Sequence, residues 1–186
     1  PRVRTLEGMM LAWSPGTPKN GMQAGTIILP EVADSAAFQN WLPNVKGKFV
    51  LISMPQPTGR PDKDWEEFAT KESFEKMKAE RDTLRNQWQA RIRKMKLDQR
   101  KLAKALEDAG AAAIIASNWS NGYSVNKIFG ANTKKVPTFD LSLEDYGLVY
   151  RLTENGGNPI LRLVAEAKSL GETPAYNTIS EMRGGA

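Results

Sequence analysis

The sequence predicts an α+β chain, and three observations carry that expectation. Short apolar runs at 26–29, 49–52 and 113–116 are each flanked by turn formers and read as core strands. Between the second and third runs, Asp64 to Asp108 contains neither Gly nor Pro and is dense in residues that favour helix. After them, Ser142-Leu143-Glu144-Asp145 opens a further helix with a capping-box-like pattern, and an alternating run at 159–165 follows as a strand.

In chain order, residues 1–30 carry short apolar stretches broken by the turn signals Ser14-Pro15-Gly16-Thr17-Pro18 and Asn20-Gly21. Gly25 to Pro30 holds the first core strand. Ser35 to Leu42 reads as a short helix capped by Asp34 or Ser35, with Pro43 beyond its end. Gly47 to Ser53 is the clearest strand, and its continuous apolar centre predicts burial on both faces. A proline-rich connection, 55–63, leads to a short helix around Trp65 and Phe68, then to a helix capped by Thr70 or Ser73. Ala109-Gly110 ends the helical stretch and Ala111 to Ser117 is a strand. A polar, aromatic loop occupies 118–135. Lys135 to Asp140 is a strand with Pro137 at its start or on an edge. The Ser142 helix runs to about Asn155, 168–174 is a linker, and another extended segment starts at Tyr176.

The long helix has an apolar stripe. At 100° per residue, Phe74, Met77, Leu84, Trp88, Ile92, Met95, Leu102 and Leu106 fall within a sector of about 80°. Unbroken, it would be about 57 Å long, longer than a domain of this size is wide. It therefore projects as an arm or breaks near Leu97-Asp98. Arg81, Arg91 and Gln99 interrupt the stripe and suggest half-exposed packing.

Composition limits the chemistry. The 186 residues suit one domain, and 40% hydrophobic with 25% charged residues is ordinary for a globular chain. There is no histidine and no cysteine. A Cys/His zinc site, a Ser-His-Asp triad, a Cys-His pair, disulfides and His- or Cys-ligated haem are thereby excluded. Carboxylate chemistry, Ser-Lys chemistry or an all-oxygen metal site remain. The longest apolar runs, Thr26–Pro30 and Ala109–Ala116, are far shorter than the roughly 20 residues of a membrane span. The ends, Pro1 and Gly184-Gly185-Ala186, read as cuts in a longer protein.

The remaining chemical motifs are weak. Ser73–Lys76 and Ser124–Lys127 match Ser-x-x-Lys, but the companion motifs are absent. The pairs Glu66-Glu67 and Glu144-Asp145 read as solvated faces among lysines. Arg85 to Lys104 holds eight bases against one acid, Asp98. That run is enough for phosphates or an acidic partner, yet acid first and base last along the helix also matches its dipole. The loop with Trp119, Asn121, Tyr123, Asn126 and Lys127 is the best contact candidate, since aromatics in a Gly/Asn loop often mark a recognition surface; the alternative is that Trp119 folds back on the domain edge.

The order of segments resembles a known family. Gly47-Lys48-Phe49-Val50-Leu51-Ile52 resembles the first signature strand of a protease-associated domain. Ala105-Leu106-Glu107-Asp108-Ala109-Gly110-Ala111-Ala112-Ala113-Ile114-Ile115 resembles its second, a helix ending in Ala-Gly-Ala before a buried strand. Val136-Pro137-Thr138-Phe139-Asp140-Leu141-Ser142-Leu143-Glu144-Asp145 resembles its third. Tyr176 to Gly184 resembles the strand that opens the catalytic domain of zinc aminopeptidases related to glutamate carboxypeptidase and the transferrin receptor. The segment 62–104 departs from the family, whose members have a much shorter helix there.

The resemblance implies a small β-barrel- or sandwich-like sheet with flanking helices, plus a long helical insertion. Residues 1–167 would be the protease-associated domain, with 62–108 inserted, and 168–186 a linker and the first strand of a truncated peptidase domain. It implies a non-catalytic lid or docking module whose partners are peptide substrate and the peptidase domain of the same polypeptide, with Arg60 and the 118–130 loop as the exposed contact candidates. Zinc would belong to that peptidase domain and no cofactor to this chain, and the protein would be secreted or periplasmic. Two other readings stand beside it: a self-standing module whose basic arm binds an acidic partner or nucleic acid, and a homodimer through the helix stripe at Phe74, Met77, Leu84, Trp88, Ile92 and Met95.

Overall fold

The computed structural model describes residues 3–123, 125–172, 174–181 and 184. Its strands are β1 (Gly8–Met10), β2 (Met22–Ile28), β3 (Phe49–Leu51), β4 (Ala113–Ala116), β5 (Thr138–Leu141) and β6 (Ile160–Leu163). Its helices are α1 (Ser35–Trp41), α2 (Asp62–Phe68), α3 (Lys71–Met95), α4 (Gln99–Asp108) and α5 (Leu143–Glu154), with a short 3-10 turn at Leu42–Val45. The six strands form one curled, mixed sheet in the order β1-β5-β4-β3-β2-β6. The inner strands β2, β3, β4 and β5 run parallel, with Val50 opposite Ile114 and Ile115 opposite Phe139. The edge strands β1 and β6 are antiparallel to their neighbours. β2 pairs with β6 through residues 22–25 and with β3 through 26–28, and this change of partner along one strand curls the sheet.

Helices cover both faces, so the two central strands β3 and β4 are apolar throughout rather than alternating. Phe49 and Leu51 of β3, Ala113 and Ile115 of β4, and Phe139 and Leu141 of β5 pack with Tyr146, Val149 and Tyr150 of α5. Val50 and Ile114 face the other way, onto Phe38 of α1, Met95 at the end of α3, and Leu102 and Leu106 of α4. Burial of β3 on both faces, expected from its sequence, is what the structure has: all three of its side chains are fully buried. Pro137 lies just before β5, where its carbonyl still accepts from the Ile114 amide at 2.9 Å. It precedes an inner strand, not an edge.

Local chemistry fixes most helix ends. Asp34, Thr70, Asp98 and Ser142 each accept from the backbone amide three residues on. The long helical segment is not a single arm. α3 stops at Met95, Lys96 adopts a left-handed conformation (φ 55°), and α4 restarts from Asp98. α4 then serves as the crossover helix between β3 and β4, buried at Leu102 and Leu106. Gly110 takes φ 83° to turn the chain from α4 into β4, a conformation a side chain would strain. Beyond β6, the described residues 164–181 form neither helix nor strand; Met182 and Arg183 of the expected extended tail lie outside the described residues.

Candidate functional site

The C-terminal ends of β3 and β4 open into a cleft of about 430 Å³ between the sheet, α3 and α4. Its floor is apolar, with Ile52 and Ile114 from the sheet and Ile92, Leu102 and Leu106 from the helices. Polar groups ring the mouth: Gln89 and Arg93 of α3, Gln99 of α4, and Ser53, Asn118 and Asn132 from the strand-end loops. The cleft exists because α3 leans over the strand ends. Trp88 packs against the clusters on both faces of the sheet and meets Tyr150 edge-on at 6.4 Å. Arg91 lies over the Trp88 ring at 4.6 Å and donates to the Leu29 carbonyl at 2.8 Å, which fixes the helix along the sheet edge.

The loop that borders the cleft is held from below by Asp140. This carboxylate is 1% exposed, between Phe139 and Leu141 of the core strand β5. Its Oδ1 accepts from the Asn118 amide N–H and from Asn118 Nδ2, each at 2.8 Å, and its Oδ2 accepts from Asn126 Nδ2. Burial pushes its carboxyl up, and the donors from the Asn118 backbone and the Asn126 and Asn118 amides oppose that shift. Above the anchor the chain doubles back. Lys127 N–H donates to the Asn118 carbonyl at 2.9 Å, Ser120 N–H donates to that of Val125 at 3.0 Å, and Asn121 takes the left-handed turn position at φ 59°.

The sequence-predicted contact residues divide into two groups. Arg60, Trp119, Asn121 and Tyr123 come together at the start of α2. Asn121 Oδ1 accepts from the Asp62 amide at 3.0 Å and the Tyr123 hydroxyl donates to Asp64. Arg60 stacks on Trp65 at 5.4 Å, and Arg81 lies 5.4 Å from the Trp119 ring centre while donating to Asp62 at 2.6 Å. Asn126, by contrast, is turned inward onto Asp140 and the Leu141 carbonyl. Lys127 is exposed beside it. Arg81, read from the sequence as a polar gap in the stripe, is 6% exposed and among the most buried residues of α3. Of the stripe residues, Met77 and Met95 are buried within the chain, Trp88 and Ile92 pack on its core, and Phe74 and Leu84 are half-buried.

Other sequence candidates are spread out. Ser73 and Lys76 are exposed on α3, and Ser124 lies outside the described residues. Glu66 and Glu67 are solvated, whereas Asp145 is buried, pairs with Arg4 and accepts from the Glu7 amide at 2.6 Å, so it ties the N-terminal segment to α5. Within the basic run, Arg85, Lys94, Lys101 and Lys104 are paired with Asp82, Glu31, Asp98 and Asp108. No cluster of carboxylates placed to hold a metal occurs among the described residues.

Three groups escaped the sequence reading. Asp140 carried one signal, an acid between two core residues, Phe139 and Leu141. Glu107 at the end of α4 accepts from three consecutive amides, Lys134, Lys135 and Val136, at 2.8, 2.7 and 3.1 Å. Burial opposes its ionisation, but the Lys135, Lys134 and Val136 N–H groups prevail and hold its carboxyl below the usual range. Trp13 is the third. It sits in a turn closed by Ser14 N–H on the Leu11 carbonyl at 3.0 Å, with φ 65°, and is 77% exposed. That backbone conformation costs a non-glycine residue roughly 1–2 kcal/mol. Its ring lies 6.0 Å from that of Phe129, which is 72% exposed and lines the cleft.

No protein-family model matches the sequence, and no curated protein matches it. Among solved structures, the chain is similar to a peptidase M28 precursor from Shewanella amazonensis, with 15% identity and a TM-score of 0.47 over 88% of this chain and 32% of that one. It is also similar to BSAP, a zinc aminopeptidase from Bacillus subtilis, with 18% identity and a TM-score of 0.41 over 87% of this chain and 28% of that one. The chain thus spans less than a third of either structure.

Proposed function

We propose that this chain is a non-catalytic accessory module of the protease-associated type, belonging to a zinc exopeptidase and governing how peptides reach its catalytic domain. The observation that carries the reading is the physical union of the three signature segments. They become the adjacent parallel strands β3, β4 and β5, and Glu107 of the second segment binds the Val136 amide of the third. Segments that are short and unremarkable singly thereby form one sheet centre. The chain has no His or Cys and so no Cys/His zinc site; in this reading zinc belongs to the peptidase domain and no step is routed through this chain. In this reading docking uses two exposed groups, the Trp13–Phe129 pair and the Arg60–Tyr123 cluster at the start of α2, where large aromatic side chains stand in solvent. Export to the periplasm or beyond is part of the same reading.

The test has two arms. The purified chain with added zinc is expected to leave aminoacyl-anilides and peptides intact; hydrolysis in a clean preparation would overturn the proposal. In the longer protein, Trp13→Ala/Phe129→Ala is expected to raise KM for peptides at least about threefold, with kcat/KM for a minimal aminoacyl-anilide unchanged. Equal effects on both substrates would remove the docking role.

A further inference from the structure

We propose that the cleft between α3, α4 and the sheet is a binding site for an amphiphilic monocarboxylate, its apolar body on Ile92, Leu102 and Ile114 and its carboxylate at Arg93. The inference is independent of the peptidase reading. The first ground is shape and composition. A volume of about 430 Å³ with an apolar floor and a few polar groups at the mouth is that of a small-ligand site, which runs roughly 300–1,000 Å³. It runs along the sheet to the carboxyl ends of the parallel strands β3 and β4, at Ser53 and Asn118, where open α/β sheets bind ligands.

The second ground is charge. Arg93 is the one ionisable side chain among the described residues lining the cleft, and it makes no ion pair among them. Of the other bases in this run, Arg85, Lys94, Lys101 and Lys104 are paired, while Arg91, Lys96 and Arg100 do not line the cleft, so Arg93 is the cation at its mouth. An apolar cavity with a single unpaired guanidinium at its entrance matches a ligand with one anionic head. A cationic amphiphile would leave two like charges facing each other, and a neutral one would leave the guanidinium unused.

The third ground is the aromatic lip. Phe129 lines the cleft and stays exposed, and Trp13 is held beside it in a conformation that glycine would adopt more cheaply. An exposed aromatic pair adjoining an apolar cleft, with Trp13 strained, extends the surface offered to a ligand that protrudes from it.

The test titrates the chain calorimetrically with octanoate, octanol, octylammonium and N-acetylphenylalanine. Octanoate is expected to bind about tenfold tighter than octanol, with octylammonium silent. Arg93→Gln is expected to remove that tenfold preference and leave octanol unchanged. Ala103→Phe, which fills the cleft, is expected to abolish binding of both, and the exposed pair Trp13→Ala/Phe129→Ala to weaken both even if the filled variant does not fold. N-acetylphenylalanine binding tighter than octanoate assigns the carboxylate to a peptide terminus, and the reverse order assigns it to an acyl chain; either supports the site. No octanoate binding at millimolar concentration, equal affinity for octanol and octanoate, or an unaltered preference in Arg93→Gln overturns it.

Discussion

Glu107 shows how much one side chain can organise. Its Oε2 gathers three successive amides of the 134–136 segment, which would otherwise need separate partners where the chain enters β5. Because these donors favour the ionised form, its folded-state carboxyl titrates below the ordinary 4.5. The stabilisation is therefore fully present above that ordinary value and is lost as pH falls through the lower, folded one. Glu107→Gln is expected to cost roughly 1.5–3 kcal/mol at pH 7, measured by urea unfolding, and the gap from the parent chain should close toward pH 3. A gap that stays constant with pH would show that the charge contributes nothing. Asp140, shifted upward, is common to both proteins and cancels in the difference. The role of Glu107 was not legible in the sequence. Its partners are backbone groups 27 to 29 residues away, and an amide carries no residue signature. Arg81 was misread for a related reason: an arginine in an apolar stripe looks like a gap until the carboxylate and aromatic ring that bury it, Asp62 and Trp119, are in place.

Elements were far more legible than residues, because their signals are local. The caps at Asp34, Thr70 and Ser142 and the strands at 49–51 and 113–116 all follow from a few adjacent side chains. β1 was missed, since Gly8-Met9-Met10 has no alternation and forms a strand only because β5 offers it an edge. Length alone left two outcomes for the long helix, a projecting arm or a break near Leu97-Asp98, and the structure has the break. Its agent is Lys96, whose left-handed backbone ends one helix so that Asp98 can cap the next. Lysine has no special tolerance for that conformation and glycine does. Lys96→Gly is expected to raise the unfolding free energy by about 0.5–1 kcal/mol and Lys96→Val to lower it, read from thermal and urea midpoints. The opposite order would mean that the turn is dictated by packing of Met95 and Leu97 rather than by backbone preference.

At the scale of the whole molecule, the sheet order has a consequence for how the chain can be divided. The junction at Lys96-Leu97 falls between β3 and β4, so it separates β1, β2 and β3 from β4, β5 and β6. In the order β1-β5-β4-β3-β2-β6 these two sets interleave. The N-terminal piece supplies one outer strand and an inner pair, and the C-terminal piece supplies the other inner pair and the opposite outer strand. β1 reaches its place only through β5, and β6 only through β2. Each piece is thus a template for the other and neither contains a contiguous sheet with both its faces covered. Polypeptides 1–96 and 97–186, produced separately, should lack a cooperative unfolding transition. Produced together, they should co-purify on a tag carried by one of them and regain the near-ultraviolet dichroism of the intact chain. A cooperative transition in either piece alone would contradict this. The chain is in effect a split protein whose halves are already clasped, with the cleavage point marked by one left-handed lysine.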